Sequence, residues 1–181
     1  MMTRHEMQAY IDRELILRGS IPMKNGDTGT WLFRLKRGLA DPEFAESVFR
    51  EVAYAIVGGD DPLDVGTFQV AGVDTSGALM ALGVSQFFND MWGDPVPAVF
   101  IRKERRSYGE LNLTDGGRPG LRTIIVDDFV NSGASIRHAV NTLVSSGFTD
   151  IHHEVHTIVD CGRDHFPLKI RPIFQKSEFK L

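Results

Sequence analysis

The sequence predicts an α/β fold, in which a central parallel sheet is flanked by helices and carries a small N-terminal hood. From Thr67 onward, short apolar runs alternate with segments of helical period, a pattern typical of strands joined by crossover helices. The run Thr123–Val126 is entirely β-branched, as expected of a strand buried on both faces of a parallel sheet. Since no linker divides the chain, we interpret residues 1–181 as one domain, with the hood contributed by about residues 1–40.

The hood is predicted to hold a helix and a hairpin. Thr3 and Glu6 have capping-box spacing, and an apolar stripe of helical period follows them up to a predicted stop at Gly19. Residues 21–37 alternate loosely between apolar and polar types. They include Asn25–Gly26, a signal for a hairpin between short strands.

The core elements follow in order. Asp41 and Pro42 are suited to the cap and first turn of a helix, which Gly58 is predicted to end. The remaining predicted elements are strands at 67–73, 98–101, 121–126, 151–159 and 168–174, and helices at 78–89 and 133–146.

Composition excludes several classes of function. The net charge of −4 argues against a nucleic-acid-binding protein. A single cysteine excludes an internal disulfide and a cysteine-based metal cage. The sequence has no signal peptide and no long apolar stretch, so we expect a cytoplasmic protein with no membrane partner.

Two adjacent carboxylates and a small-residue loop form the most informative segment. Asp127 and Asp128 end the predicted strand, and the loop from Asn131 to Ser135 leads into a helix. The carboxyl ends of parallel strands and helix N-termini are where α/β sheets bind phosphorylated ligands. Backbone N–H groups and the hydroxyls of Ser132 and Ser135 can hold a phosphate, and the carboxylates can bind sugar hydroxyls or a metal ion.

A basic segment follows an earlier strand. Residues 102–106 carry four cations within five positions, and the chain stays rich in glycine and polar residues up to Gly120. Alone, this would be read as a solvated charged loop. Because a motif suited to a phosphorylated ligand follows it, we interpret the segment as a functional lid over an anionic ligand.

These motifs carry a resemblance to a known family. The segment from Thr123 to Ser135 resembles the PRPP-binding motif of the type I phosphoribosyltransferases. The run Arg102-Lys103-Glu104, with Gly109 further on, narrows the resemblance to the orotate phosphoribosyltransferases. The similarity extends from about Ile21 to Asp160.

The resemblance implies a role for each matching residue. Asp127, Asp128 and Arg106 would act in catalysis. The implied PRPP ligands are Arg102, Lys103, Arg106, Tyr108, Asp127, Asp128, Asn131, Ser132, Gly133, Ala134 and Ser135. Asp74, Thr75, Ser76 and Gly77 would form the pyrophosphate loop, and Lys24, Phe33, Arg34 and Asn131 would contact the base.

The resemblance also implies partners and a reaction. The family transfers the phosphoribosyl group of PRPP to a nucleobase, here orotate, giving orotidine 5′-phosphate and pyrophosphate. Mg²⁺ would be bound through PRPP near Asp127 and Asp128, and the protein would be a homodimer.

Three residues depart from the family pattern. Arg106 replaces a lysine, Tyr108 replaces a histidine, and Cys161 stands where the family has an arginine that pairs with the orotate carboxylate. Two alternatives therefore stay open: a phosphoribosyltransferase for another base, and a regulatory protein that binds PRPP without turnover.

Three histidines cluster on one predicted strand. His152 and His156 share a face of that strand, and His153 lies between them. No acidic residue completes a metal-ligand spacing, so we predict surface or edge positions for all three.

Overall fold

A computed structural model describes residues 1–22, 26–59, 62–104, 112–162 and 168–181. The helices are α1 (Arg4–Tyr10), α2 (Leu35–Gly38), α3 (Pro42–Gly58), α4 (Ser76–Trp92) and α5 (Ala134–Ser145). The strands are β1 (Ile16–Pro22), β2 (Thr28–Phe33), β3 (Phe68–Val73), β4 (Ala98–Ile101), β5 (Thr114–Gly116), β6 (Arg122–Val130), β7 (Ile151–Asp160) and β8 (Lys169–Gln175). None of the helices in these ranges is long and apolar enough to span a membrane.

A mostly parallel sheet forms the centre of the fold. Among the described residues, six strands lie in the order β5-β4-β3-β6-β7-β8, and β5 alone runs antiparallel to its neighbour. Strands β1 and β2 form a separate antiparallel pair on the N-terminal side of the chain. The predicted α/β architecture is confirmed.

Strand β6 is buried on both faces of the sheet. Ile124 and Val126 pack into a cluster with side chains of α1, α3 and α4, and Ile125 packs into a second cluster with Ala139 and Leu143 of α5. The three residues of β6 and the two of α5 named here are each at most 1% exposed. Apolar burial on two sides fixes the register of the strand, since a slip by one residue would exchange its faces.

The N-terminal part shares the apolar core of the sheet. Met7, Ile11 and Leu15 are buried in the same cluster as α3 and α4, and the Tyr10 hydroxyl donates to the Asp41 carboxylate at 3.0 Å. That carboxylate also caps α3 by accepting from the first backbone N–H groups of the helix. The single-domain organisation stays a prediction.

The predicted helix stop at Gly19 is wrong. A π-helical turn at Ile11–Leu15 ends the first helix, and Gly19 lies within β1 with a φ of +130°. The pairing register of β1 with β2 shifts between Arg18 and Ile21, which is the position where a glycine is needed for such a bulge.

Strand β5 was not predicted from the sequence. It lies in the glycine-rich segment after the basic residues and pairs antiparallel with β4. The loop that follows it is held by the buried side chain of Gln69, which donates to the carbonyl of Arg118 at 3.0 Å and accepts from the same residue's N–H at 2.7 Å. Its amide also reaches Thr123 at 2.9 Å.

The predicted surface or edge position is wrong for two of the histidines. His152 and His156 are 4% and 2% exposed, because β7 is an interior strand, paired with β6 and β8 on its two sides. The His153 side chain is exposed, as predicted.

We expect Phe88→Ala to lower the free energy of unfolding by about 3–5 kcal/mol, because a fully buried ring would leave a cavity. The ring centroid of Phe88 lies 5.2 Å from those of both Phe68 and Trp92. Gln86→Ala, at an exposed position of the same helix, should change stability by about 0.5 kcal/mol or less. Urea unfolding of both variants is the measurement, and equal shifts of their midpoints would contradict this description of the core.

Candidate active site

The acidic pair lies at the carboxyl end of β6. The strand continues to Val130, four residues beyond the predicted end at Val126, so both carboxylates belong to the sheet. Asp127 is 7% exposed, and its Oδ1 accepts the backbone N–H of Asp128 at 2.9 Å.

Burial is the main cause that raises the pKa of Asp127 well above the usual carboxyl value. The charge of Asp128 raises it further, and the nearby Lys103 acts in the opposite direction. Ligand groups that donate hydrogen bonds, such as sugar hydroxyls, would stabilise the ionised form of this buried carboxyl.

The small-residue loop lines a cleft beside the pair. The cleft has a volume of about 410 Å³. Gly133 adopts a φ of +69° immediately before α5, and no side chain caps that helix. The first N–H groups of α5 are therefore available to an anion, which the helix dipole also favours. The loop residues that line the cleft are Asn131, Ser132, Gly133, Ala134 and Ser135.

A smaller cavity of about 190 Å³ adjoins this cleft and shares Asp127, Phe129 and Ser135 with it. Its walls bring together residues from separate predicted motifs. They are Asp74 and Ser76 of the predicted pyrophosphate loop, Lys103 of the basic segment, Phe33 of the hood, and the acidic pair Asp127 and Asp128.

The predicted pyrophosphate loop is a tight turn between β3 and α4. A Cβ atom on Gly72 would overlap the carbonyl oxygen of Gly77, so this approach requires glycine. The Asp74 N–H donates to the Ile101 carbonyl at 2.8 Å, and the Asp74–Thr75 peptide bond is cis. The turn places Asp74 and Ser76 against the smaller cavity.

Arg102 is held away from the cleft by three other residues. Its guanidinium forms an ion pair with Asp115 of β5. Its backbone N–H donates to the Leu113 carbonyl at 2.8 Å, and its backbone carbonyl lies 2.8 Å from His138 Nε2. Because a carbonyl only accepts, that imidazole nitrogen must carry the proton. Arg102 thus anchors the stem of the basic segment, while Lys103 reaches the cavity. Sequence reasoning missed His138 and Asp115, since neither belongs to a local motif.

The predicted base contacts are only partly brought together. Phe33 lines the smaller cavity, with its ring centroid 5.3 Å from that of Phe129. The Arg34 guanidinium instead donates to the Glu14 carbonyl at 3.0 Å. Asn131 lines the cleft beside the small-residue loop and not the smaller cavity that contains Phe33.

Other predicted residues lie outside the described part of the chain. They are Lys24, Arg106 and Tyr108, and their assignments stay predictions. Cys161 is described: it is half-buried, and its N–H donates to the Val130 carbonyl at 2.9 Å. This bond places it beside the end of β6, close to where the acidic pair lies.

The geometry can be compared with known proteins. No protein-family model matches the chain. By fold, the chain is similar to orotate phosphoribosyltransferase of Mycobacterium tuberculosis H37Rv, solved in complex with Fe(III) dicitrate, with a TM-score of 0.77 at 19% identity over 97% of both chains. The same enzyme in complex with PRPP gives a TM-score of 0.72 at 19% identity.

Comparison of the sequence with curated proteins indicates the same family as the comparison of folds. Orotate phosphoribosyltransferase of Nocardioides sp. is 27% identical over 183 residues, covering 95% of this chain and 92% of that protein. The enzyme of Aeropyrum pernix is 30% identical over 141 residues, covering 76% of this chain and 68% of that protein. With these identities over most of its length, the chain belongs to the orotate phosphoribosyltransferase family.

Proposed function

We propose that this protein transfers the phosphoribosyl group of PRPP to orotate, giving orotidine 5′-phosphate and pyrophosphate. The observation that carries the proposal is the convergence of Asp74, Lys103, Asp127 and Ser135 on one small cavity beside the loop cleft. Orotate as the base is supported by the relatives that share most of the chain's length.

The loop cleft would bind the 5′-phosphate. Ser132, Ser135 and the first residues of α5, whose backbone N–H groups lack a side-chain cap, line this cleft. Hydrogen bonds to a charged group contribute about 1.5–3 kcal/mol each, so this loop would supply much of the affinity for PRPP. Asp127 and Asp128 would then bind the ribose hydroxyls on the neighbouring cavity wall.

Displacement of pyrophosphate develops positive charge on the ribose ring and negative charge on the leaving group. The acidic pair would stabilise the ring and Lys103 would stabilise the pyrophosphate, because these residues line the same cavity. We assign Arg106 and Tyr108 to the same leaving group. Arg102, which pairs with Asp115, would act by orienting Lys103. Closure of the basic segment would exclude water, which could otherwise hydrolyse PRPP.

The carboxylate oxygens suit the Mg²⁺ ion that this family implies. Such oxygens are the ligands that Mg²⁺ prefers, usually together with substrate phosphates and water. Among the described residues, no group of three or more His, Cys, Asp and Glu side chains could hold a metal by itself. Asp127 and Asp128 would therefore hold the ion together with PRPP, where its charge would neutralise the pyrophosphate.

We also propose a homodimer in which the basic segment reaches the partner's site, as the family resemblance suggests. Exposed apolar side chains on the helices α3 and α4 support it, since exposed apolar surface favours association. They are Tyr54 of α3 and Leu79, Leu82, Met91 and Trp92 of α4. Lys103 lies beside the acidic pair of its own chain, so only later residues such as Arg106 would cross to the partner.

The role of the acidic pair gives the first functional prediction. We expect Asp128→Asn to lower kcat by about 10²–10³-fold, as does loss of one preorganised electrostatic group. Asp150→Asn is the matched control, because Asp150 is an exposed aspartate paired with Arg122. Orotate consumption and calorimetry with PRPP and Mg²⁺ are the measurements. If Asp128→Asn turns over orotate and binds PRPP as well as the parent does, the assignment is contradicted. If the parent itself binds PRPP without turnover, the protein is regulatory and not an enzyme.

Mixed dimers test the shared site. An Arg106→Ala chain mixed with an Asp128→Asn chain should regain about a quarter of the parent activity, since half the dimers are mixed and each holds one intact site. Lys103→Ala mixed with Asp128→Asn is the control. It should regain nothing, because both residues belong to one chain's cavity. Equal recovery in the two mixtures, or an active monomer in sedimentation, would contradict the proposal.

Base recognition is tested at Cys161. We expect the parent to have a high KM for orotate, because no arginine stands at this position to pair with the substrate carboxylate. Cys161→Arg should lower that KM about tenfold with the KM for PRPP unchanged, and Cys161→Ser should change neither. An unchanged orotate KM in Cys161→Arg would place the carboxylate of the base elsewhere.

A further inference from the structure

The Lys103 side chain reaches the cavity of the acidic pair from an irregular part of the chain. It lines that cavity, and its charge lowers the pKa of Asp127 against the effect of burial. The residue comes two positions after the end of β4 and is exposed. In the part of the chain that the structure describes, no ion pair or side-chain hydrogen bond holds its ammonium group. Its direction therefore depends on how the backbone at residues 102 and 103 is fixed.

The peptide group that joins Arg102 to Lys103 is held by helix α5. His138 Nε2 lies 2.8 Å from the carbonyl oxygen of Arg102. The six atoms of a peptide group, which include both Cα atoms, lie in one plane. A hydrogen bond to this carbonyl thus fixes the orientation of the plane and, with it, the Cα atom from which the Lys103 side chain extends.

The two other contacts of Arg102 come from the returning part of the same segment. The Leu113 carbonyl accepts its backbone N–H at 2.8 Å, and Asp115 pairs with its guanidinium. Both groups of Arg102 lie before its Cα–C bond, so neither contact fixes rotation about that bond. Among hydrogen bonds between described residues, the one from His138 is the contact made by the peptide group beyond it.

His138 lies one turn inside α5. The helix begins at Ala134, which lines the loop cleft, and residues four positions apart lie on the same face of a helix. Because a carbonyl oxygen only accepts, Nε2 carries the proton, as it does in one neutral tautomer and in the imidazolium. The contact is therefore available in both protonation states, which suits a positional role better than proton transfer.

We propose that His138 is a positioning residue for the leaving group of the reaction. Its hydrogen bond to the Arg102 carbonyl holds Lys103 on the cavity wall, where the ammonium group would meet the pyrophosphate. The inference rests on the proposed function, because that function assigns Lys103 to the pyrophosphate. Helix α5 would then act on both ends of PRPP, through the N–H groups at its start and through His138 one turn later.

Two substitutions of His138 separate the hydrogen bond from the size of the side chain. His138→Met removes the donor, whereas His138→Gln keeps an N–H donor, and both new residues favour helix. Titration calorimetry with inorganic pyrophosphate and Mg²⁺ should show about fivefold weaker binding in His138→Met, as expected for one neutral hydrogen bond, and binding within about twofold of the parent in His138→Gln. Asn141→Met, at an exposed position of the same helix, is the control and should bind as the parent does.

A double-mutant cycle with Lys103 identifies the route of the effect. Lys103→Ala should weaken pyrophosphate binding about 10–100-fold, since it removes a charged donor. His138→Met should add no further loss in the Lys103→Ala background, because the side chain that it orients is gone. In the parent background, His138→Met should lower kcat by about fivefold with the KM for orotate unchanged. A general structural role of His138 would instead weaken binding equally in both backgrounds.

The inference is overturned if His138→Met binds pyrophosphate as tightly as the parent, if His138→Gln loses as much affinity as His138→Met, or if the losses with Lys103→Ala are additive. In these cases the proposed function still stands, since Lys103→Ala itself binds weakly. A parent that binds no pyrophosphate, or a Lys103→Ala variant that binds it as the parent does, would contradict the proposed function, and the role of His138 would fall with it.

Discussion

Burial of strand β6 on both faces is the constraint on which the site depends. Ile124, Ile125 and Val126 pack into apolar clusters on opposite sides of the sheet, and this packing fixes the register of the strand. Asp127 and Asp128 are the next two residues of the same strand and cannot move along the sheet without exchanging buried faces. Burial at this position disfavours the ionised form of Asp127 and is the main cause that raises its pKa.

The remaining parts of the site are attached to this strand end by contacts between distant segments. Gly72 and Gly77 allow the β3–α4 turn to close tightly against it. His138 of α5 contacts the carbonyl of Arg102, so the helix that follows the loop from Asn131 to Ser135 also positions the start of the basic segment. Lys103 is the next residue after this contact.

The sequence predicted those elements of the structure that depend only on residues close together in the chain. The β-branched run, the acidic pair and the loop to Ser135 are adjacent in sequence. The structure buries the run in the sheet, and it places the acidic pair and the loop on the two adjoining cavities. The contact of His138 with Arg102 joins residues 36 positions apart, and no spacing rule could indicate it. Gly19 carries a strong local signal for a helix stop. The pairing of β1 with β2 overrode that signal. The burial of His156 likewise follows from the strands on both sides of β7.

A crystal structure of the protein with PRPP bound tests the central claim most directly. The account predicts the 5′-phosphate within hydrogen-bond distance of the backbone N–H groups at residues 132–135. It predicts the ribose hydroxyls on Asp127 and Asp128, and the pyrophosphate beside Lys103 and Ser76. A phosphate bound away from the start of α5, or ribose hydroxyls with no contact to the acidic pair, would contradict it.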